Sequence, residues 1–423
     1  MTLQPEERRI AMFNVHSDPL VAIGTQENGG QNVYVRSLMT ELDRQGWLVD
    51  VFTRWNDTRK KQIVPVGKRS RVIRIQAGPI AHVKKFDLLE HLPEFYKHFL
   101  EFINNENPYH IFHGHYWDGG WLGLQAQRQF QVPFVQTYHS LGEVRFNVQE
   151  RFAQAARDNY AEARFHVETE VGQNASGIIT LSQTEKDDLH TLYGIANEKI
   201  HVIPGAVNFR MFHPMTREYA RAVVGIPQRD FVVVYVGRLE WRKGIGTLIS
   251  AIKLLQQDVP NIRALIVGGG IFGKQRNKED VAEYERLKKK AQEEGVEDRI
   301  QFVGRINHSK IHVYYSTGNA HVVPSYYEPF GLVALEGMAC QIPVVASRQG
   351  GLKMTIQDGT TGLLFETRDA QDFATQIKKL ALSPDLVGTL VKNAYSYVRE
   401  NHSQKQITKK ISDLYTTYID QTV

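Results

Sequence analysis

Cysteine is nearly absent from this sequence of 423 residues, which contains one, Cys340. A single cysteine excludes a disulfide within the chain and is typical of proteins in a reducing compartment. No apolar run approaches the roughly 20 residues that a membrane-spanning helix needs. Residues 1–9 include acidic side chains and lack an apolar centre, so they do not resemble a signal peptide. These absences predict a soluble, cytoplasmic protein without a membrane partner.

Metal-ligand clusters and concentrated basic patches are missing as well. The sequence has no Asp-x-Asp motif and no His/Cys group at ligand spacing, so no metal site is predicted. Lys and Arg number 51 against 46 Asp and Glu, giving a net charge of +5, and the densest basic run, 286–290, alternates with glutamates. That alternation is typical of a solvated helix face, so no nucleic-acid partner is predicted. The modest positive charge favours small anionic ligands.

Apolar strand patterns alternate with helical patterns along most of the chain, which is typical of parallel, doubly wound α/β sheets. The turn-rich segment 204–214 interrupts this alternation, which then restarts. The sequence therefore predicts two Rossmann-like domains, 1–207 and 208–402, followed by a C-terminal helix in 403–423. The predicted strands are 10–15, 48–52, 72–75, 111–113, 134–137, 177–181 and 200–203 in the first domain, and 231–236, 262–267, 300–302, 320–323 and 343–346 in the second.

Two carboxylates, Glu328 and Glu336, flank a Pro-Phe-Gly turn and the start of an apolar helical pattern. Because a predicted strand precedes them, Glu328 is expected in the strand-to-helix loop and Glu336 in the helix. Such loops lie at the carboxyl edge of a parallel sheet, where backbone N–H groups bind phosphorylated ligands. Carboxylates there could accept hydrogen bonds from sugar hydroxyls. A helix cap and a solvated glutamate are the alternative explanation of the same spacing.

A second strand-to-helix loop contains two cations, Arg238 and Lys243, after the predicted strand 231–236. A rigid guanidinium beside a flexible ammonium suits a diphosphate. Glycine-rich loops follow two further predicted strands, at Gly29-Gly30 and at 268–270. Each feature is weak evidence alone, but their order along the chain indicates a site for a phosphorylated ligand.

This combination resembles the retaining glycosyltransferases of family 4, over nearly the whole chain from Gly29 to at least Gly362. The resemblance implies the GT-B fold, in which two Rossmann-like domains face one another across a cleft. It also implies that the C-terminal helix in 403–423 returns to the N-terminal domain. A GT-B phosphorylase would need a lysine suited to pyridoxal phosphate, and no such lysine context is found. A non-catalytic sensor would be expected to lack one of the charged donor residues.

Within the family, two groups of relatives are similar in different segments. Gly29-Gly-Gln and His139-Ser-Leu-Gly are similar to sucrose-phosphate synthases. Asn32-Val-Tyr-Val and Gly350-Gly-Leu are equally similar to the glycosyltransferase that uses inositol phosphate in mycothiol synthesis. Trp117 departs from the small residue of most sucrose-phosphate synthases, and Asn208 stands where most relatives have Asp.

The resemblance also implies the donor site. Arg238 and Lys243 would contact the diphosphate, and Glu336 would bind the ribose. Glu328 would hold sugar hydroxyls, and His139 would lie near the 6-hydroxyl of the sugar. The donor-binding residues implied are Gly30, Arg238, Lys243, Phe330, Gly331, Leu332 and Glu336, and the catalytic residues implied are His139, Arg238, Lys243 and Glu328. Neither a metal nor another cofactor is expected.

The acceptor would be a sugar phosphate held by cations and hydroxyls of the first domain. The acceptor-binding residues implied are Gln31, Asn32, Lys85, Tyr116, Ser140, Arg145 and Arg164. The reaction implied moves glucose from UDP-glucose to fructose 6-phosphate, giving sucrose 6-phosphate, for which a separate phosphatase is expected downstream. Inositol 3-phosphate stays open as the alternative acceptor, and ADP-glucose or GDP-glucose as alternative donors.

Overall fold

The computed structural model describes residues 8–21, 30–144, 146–147, 159–272, 276–328 and 330–422, without the side chains of Lys85 and Phe86. The chain forms two compact units. The N-terminal unit extends to Pro204 and includes the residues from Gln404 onward, and the C-terminal unit extends from Gly205 to Ser403. The first boundary thus falls inside the turn-rich segment that was predicted to join two domains.

The N-terminal unit is built on one sheet with helices packed on it. Its strands are β1 (Arg9–Phe13), β2 (Leu48–Arg54), β3 (Ile63–Val66), β4 (Ser70–Ile75), β5 (Ile111–His115), β6 (Phe134–Thr137), β7 (Gly177–Thr180) and β8 (Ile200–Val202). Its described α-helices are α1 (Gly30–Arg44), α2 (Leu92–Phe102), α3 (Tyr116–Phe130), α4 (Asn159–Asn174) and α5 (Gln183–Tyr193). The strand order is β3-β4-β2-β1-β5-β6-β7-β8. Neighbouring strands are parallel, except that β3 pairs with β4 in antiparallel fashion.

The C-terminal unit contains a second, separate sheet. Its strands are β9 (Phe231–Val236), β10 (Ile262–Val267), β11 (Ile300–Gly304), β12 (Ala320–Val323), β13 (Val344–Ser347) and β14 (Leu363–Phe365). Its described α-helices are α6 (Arg217–Val224), α7 (Ile245–Leu255), α8 (Lys278–Glu293), α9 (Ile311–Thr317), α10 (Leu332–Ala339), α11 (Leu352–Thr355), α12 (Ala370–Leu382) and α13 (Pro384–Asn401). The order is β11-β10-β9-β12-β13-β14, and all pairs are parallel.

The central strands of both sheets are buried on both faces, which explains why the sequence shows them as nearly continuous apolar runs. In β9 every residue after Phe231 is buried, and β12 is buried throughout. Strands β3 and β14 were not predicted. Strand β3 is a half-exposed edge strand that contains Pro65, and β14 has 3 residues, so neither gives a strong apolar pattern.

The last helix, α14 (Gln404–Asp420), packs against α1 in the N-terminal unit. Its buried apolar residues Ile407, Ile411, Tyr415 and Ile419 recur at helical spacing and form one face. The Tyr415 ring lies 5.9 Å from the Trp47 ring, edge to face. The chain therefore ends on the unit in which it began.

Two parallel-sheet α/β domains confirm the predicted fold class. Each domain places the loops that follow its strands at the carboxyl edge of its own sheet, where the candidate residues lie. The prediction that the two domains face one another across a cleft stays a prediction. No described helix combines the length and apolar character that crossing a bilayer requires.

Candidate active site

The loop after β9 places Arg238 and Lys243 beside the end of β12. A single turn of 3₁₀-helix, Trp241–Lys243, leads into α7 through Gly244, whose φ is 68°. A side chain at Gly244 would put its Cβ 1.8 Å from the carbonyl oxygen of Pro324, so only glycine allows this close approach. The two loops can meet because β9 and β12 are neighbours in the sheet.

Lys243 and Glu328 form an ion pair at the meeting point of these loops. The Nζ of Lys243 lies 2.5 Å from Oε2 of Glu328, and their side chains are 15% and 13% exposed. Burial raises the pKa of Glu328, but the charge and hydrogen bond of Lys243, together with the charge of Arg242, outweigh burial and hold this pKa below its usual value. Burial also lowers the pKa of Lys243, more than the charge of Glu328 raises it. The structure thus brings together two of the four predicted catalytic residues.

Arg238 is held by Glu240, a residue that the sequence analysis did not single out. Glu240 accepts from Arg238 Nη1 at 2.9 Å and from Arg242 Nε at 2.6 Å. Burial raises the pKa of Glu240, but the charges of Arg238, Arg242 and Lys243 and the hydrogen bond from Arg242 together outweigh burial and keep this pKa below its usual value. Its position between two cations in one loop was the available signal in the sequence. Glu240 therefore orients the guanidinium that was predicted to meet the diphosphate.

The backbone around Glu328 is fixed by glycines on two sides. Gly331, with φ at 88°, precedes α10, and its N–H donates to the Glu328 carboxylate. Gly351 N–H donates to the Glu328 carbonyl oxygen at 3.0 Å. A Cβ at Gly350, where φ is 51°, would lie 2.5 Å from that same oxygen. The Gly350-Gly351 pair, noted in the sequence only for its family resemblance, therefore positions the carboxylate loop.

The predicted donor residues Phe330, Leu332 and Glu336 lie in or beside α10. Phe330 is buried, and its carbonyl accepts from Thr355 Oγ1 at 2.9 Å. Leu332 is the first residue of the helix and Glu336 lies in its second turn. Tyr315 Oη donates to Glu336 Oε2 at 2.8 Å, and burial raises the pKa of Glu336 to about 7. Glu336 is thus a carboxyl group whose charge changes near neutral pH.

In the N-terminal unit, the loop after β1 and the start of α1 hold the predicted residues Gly30, Gln31 and Asn32. Gly30 begins α1, and Gln31 Nε2 donates to Asn14 Oδ1 at 2.6 Å. Asn32 is buried, accepts from Ser17 Oγ and donates through Nδ2 to the Asp18 carbonyl at 2.8 Å. The structure therefore gives Asn32 a part in fixing this loop, and its contact with an acceptor stays a prediction.

Two non-glycine residues at the carboxyl edge of this sheet have left-handed backbone conformations. Tyr116, directly after β5, has φ at 67°, and His139, just beyond β6, has φ at 62°. Left-handed backbone costs a bulky residue about 1–3 kcal/mol and occurs preferentially at functional sites. Both residues were predicted from the sequence to contact substrate, and the adjoining strands bring their loops together.

Arg164 is buried in α4 and already has partners within the protein. Its Nε donates to Glu168 Oε1 at 2.7 Å, its Nη2 donates to the Ser140 carbonyl at 2.6 Å, and its guanidinium lies 4.6 Å from the Tyr116 ring centre. Glu168 also accepts from the Gly142 N–H at 2.9 Å. The structure thus joins Arg164, Ser140 and Tyr116 in one cluster, with a counter-ion that the sequence analysis missed.

Two of the predicted acceptor cations give no side-chain geometry. Arg145 lies outside the described residues. Lys85 begins a 3₁₀-helix, Lys85–His91, but its side chain is not described. Their role in binding a phosphate stays a prediction. Within the described part of the chain, no group of three or more His, Cys, Asp and Glu side chains could hold a metal ion.

His139 is half-buried and contacts a second histidine. His115 Nδ1 lies 3.1 Å from His139 Nε2, and the Tyr34 ring lies 5.0 Å from the His139 ring. Burial lowers the pKa of His139 to about 3, with a smaller contribution from His16. The ring is therefore neutral at physiological pH and suited to hydrogen bonding.

Two sequence families match the chain, one for each half. The family described as Glycosyltransferase Family 4 matches residues 28–210, and the family described as Glycosyl transferases group 1 matches residues 216–397. Together they cover every strand described above except β1, and all of the predicted site residues.

Individual relatives match nearly the full length. A D-inositol 3-phosphate glycosyltransferase of Corynebacterium jeikeium is 35% identical over 384 residues, which are 89% of each chain. Sucrose-phosphate synthase from Thermosynechococcus elongatus is 38% identical, has a TM-score of 0.87, and is matched over 98% of this chain and 100% of its own. Anabaena HepE, solved in complex with UDP-glucose, is 20% identical with a TM-score of 0.72 over 97% and 99% of the two chains, and shows likeness of fold alone. The chain belongs to the group 1 glycosyltransferases, and its two parallel-sheet α/β domains are those of the GT-B fold.

Proposed function

We propose that the protein transfers glucose from UDP-glucose to fructose 6-phosphate, giving sucrose 6-phosphate and UDP with the α-configuration of glucose retained. The observation that carries this proposal is the similarity to sucrose-phosphate synthase from T. elongatus, at 38% identity over 98% of this chain with a TM-score of 0.87. The cations and carboxylates at the sheet edges have the chemistry that this reaction needs.

The donor half of the proposal rests on the Lys243–Glu328 pair and the Arg238–Glu240 pair. Each predicted phosphate ligand is preorganised by a carboxylate, at 2.5 Å and 2.9 Å respectively. A bound diphosphate would attract both cations, and Glu328 would then be released to accept hydrogen bonds from sugar hydroxyls. The two cations would then face the two negative charges of the diphosphate.

In the proposed reaction, the bond between glucose C1 and the β-phosphate oxygen breaks while C1 bonds to the acceptor hydroxyl oxygen. The acceptor proton passes to the departing phosphate oxygen, so no side chain has to act as a base. Arg238 and Lys243 stabilise the charge that develops on the diphosphate. His139, with its pKa lowered to about 3 by burial, is too weak a base to compete for that proton.

The test is turnover with a panel of acceptors, measured as UDP release from UDP-glucose. Fructose 6-phosphate is expected to support turnover, whereas free fructose should be poor because it lacks the phosphate that the predicted acceptor cations would bind. ADP-glucose serves as the comparison donor and is expected to react more slowly than UDP-glucose. Turnover with none of the phosphorylated acceptors would reject the proposal.

Inositol 3-phosphate is the second candidate acceptor, because the C. jeikeium relative at 35% identity is named for that substrate. Both acceptors carry a phosphate that requires cations, so charge does not distinguish them. Turnover with inositol 3-phosphate and none with fructose 6-phosphate would replace the acceptor but leave the donor half of the proposal intact.

Donor affinity is expected to depend on pH through Glu336. Its pKa of about 7 means that the carboxylate, which accepts hydrogen bonds from ribose hydroxyls, becomes protonated as the pH falls below neutrality. If only the ionised form binds well, the dissociation constant of UDP-glucose should rise about tenfold between pH 8 and pH 6. Calorimetric titration without acceptor measures this directly.

Glu336→Gln is the matched control for that titration. This variant should bind UDP-glucose weakly at both pH values, because an amide accepts with one oxygen and carries no charge. A wild-type affinity that does not change with pH, or a variant that keeps the wild-type pH dependence, would contradict the ribose role.

A further inference from the structure

A chain of buried imidazoles leads to His139 within the N-terminal unit. His113 and His115 are fully buried and lie on one face of β5, with ring centres 4.0 Å apart. His113 contacts Tyr415 Oη at 2.5 Å through Nδ1 and Thr137 Oγ1 at 2.9 Å through Nε2. His115 uses Nδ1 to contact His139 Nε2 at 3.1 Å. Each ring is thus held by a side chain from a neighbouring element of the same unit.

All three rings are neutral. Burial lowers the pKa of His113 and of His139 to about 3, and that of His115 well below its usual value. A neutral imidazole has one N–H donor and one bare nitrogen acceptor. The contact between His115 and His139 therefore has one donor and one acceptor, and two arrangements are possible.

The other nitrogen of His115 decides between these arrangements. His115 Nε2 is buried and has no hydrogen-bond partner among the described residues. If His139 were the donor, the proton of His115 would lie on Nε2, as a buried N–H without an acceptor, which costs about 1–3 kcal/mol. If His115 is the donor, only a lone pair is left unsatisfied, and unpaired buried acceptors are better tolerated than unpaired donors.

We infer that His115 is a positioning residue that donates from Nδ1 to His139 Nε2 and so fixes His139 in the tautomer protonated on Nδ1. The hydrogen bond made by one ring nitrogen sets the protonation of the other. Nδ1, the nitrogen of His139 that His115 does not engage, is then a hydrogen-bond donor. This inference rests on the proposed function for the ligand, since it makes His139 a donor to a sugar oxygen of UDP-glucose.

The tautomer can be measured without any substrate. In protein labelled with ¹⁵N-histidine, long-range ¹H–¹⁵N correlation spectra distinguish a protonated Nδ1 from a protonated Nε2, and the signal that His139→Gln removes identifies the residue. His139 is expected to be protonated on Nδ1. A proton on Nε2 would overturn the inference, whatever substrate the enzyme uses.

Two substitutions of His115 test its part in this arrangement. The side-chain amide of Asn occupies the place of Nδ1 and can still donate to His139, whereas that of Gln occupies the place of Nε2. His115→Asn should keep the tautomer and bind UDP-glucose within about threefold of wild type, and His115→Gln should bind about tenfold more weakly. Equal binding by both variants, with the tautomer of His139 unchanged, would overturn the positioning role.

Thr137→Val is the matched control, because it removes a hydrogen bond to His113 and leaves the contact between His115 and His139 intact. It should lower the melting temperature without changing the tautomer of His139. A changed tautomer of His139 in this variant would mean that the whole chain of rings sets the tautomer, which would overturn the role of His115 alone. Failure of wild-type protein to bind UDP-glucose would reject the proposed function, while the spectra would still decide the tautomer.

Discussion

Lys243→Ala is expected to lower the rate of glucosyl transfer by about a thousandfold. The substitution removes a cation from the diphosphate and leaves Glu328, which is 13% exposed, without the partner now 2.5 Å away. Removing one preorganised group from a developing charge costs about 2.7–4 kcal/mol in the transition state, which corresponds to that loss of rate. The Glu328 carboxylate that is left without its partner lowers the stability of the fold by about 3–5 kcal/mol. Steady-state kinetics with UDP-glucose and fructose 6-phosphate measure the effect.

The matched control is Lys253→Ala, which removes an exposed lysine from α7 and should leave transfer unchanged. A double-mutant cycle with Glu328→Gln distinguishes the effect of breaking the Lys243–Glu328 ion pair from the effect of losing the contact with the substrate. The double variant should regain thermal stability lost in Lys243→Ala but none of the transfer rate. Near-normal transfer by Lys243→Ala without added metal would show that this lysine does not hold the diphosphate.

Arg164→Ala should raise the KM for fructose 6-phosphate by about 10- to 100-fold and leave the KM for UDP-glucose nearly unchanged. The loss of a charge-assisted contact to phosphate, worth about 1.5–3 kcal/mol, accounts for this range. Stability should fall as well, because the fully buried carboxylate of Glu168 loses a cation 2.7 Å away. Kinetics and thermal unfolding together measure both effects.

Glu168→Gln separates the structural role of Arg164 from binding. Combined with Arg164→Ala, it removes the unpaired buried charge, and its amide oxygen can still accept from the Gly142 N–H. The double variant is expected to regain stability while the acceptor KM stays high. Recovery of the acceptor KM along with stability would mean that Arg164 acts on the fold alone.

The positions of the charged residues at the strand ends could be predicted from the sequence because these residues lie in short segments with recognisable local patterns. Arg238 and Lys243 follow the apolar strand β9, and Glu328 and Glu336 lie around the turn that starts α10. Local sequence is enough to place such residues at strand ends, since parallel strands end at the same edge of a sheet. The residues that pair with these charged side chains and shift their pKa values could not be predicted in the same way.

The roles of His115 and Glu168 illustrate what was missed. The sequence analysis named Arg164 for its charge and assigned no role to His115 or Glu168. Whether an arginine in a helix is solvated or buried against a glutamate one turn later depends on which face packs inward. In this fold both side chains of the Arg164–Glu168 pair are buried, at 3% and 0% exposed. The arginine that the sequence suggests is a free cation is therefore part of a buried ion pair.

The sequence by itself determined the two βαβ series, the division between them, and the types of charged residue at the strand ends. Those features depend on local periodicity and on the turn residues between elements. Only the tertiary structure decided which residues meet. Lys243 and Glu328 are 85 positions apart, and they pair because β9 lies beside β12. His115 and His139 meet because β5 lies beside β6. The order of the strands depends on long-range packing of both faces of the sheet, and no local segment encodes that packing.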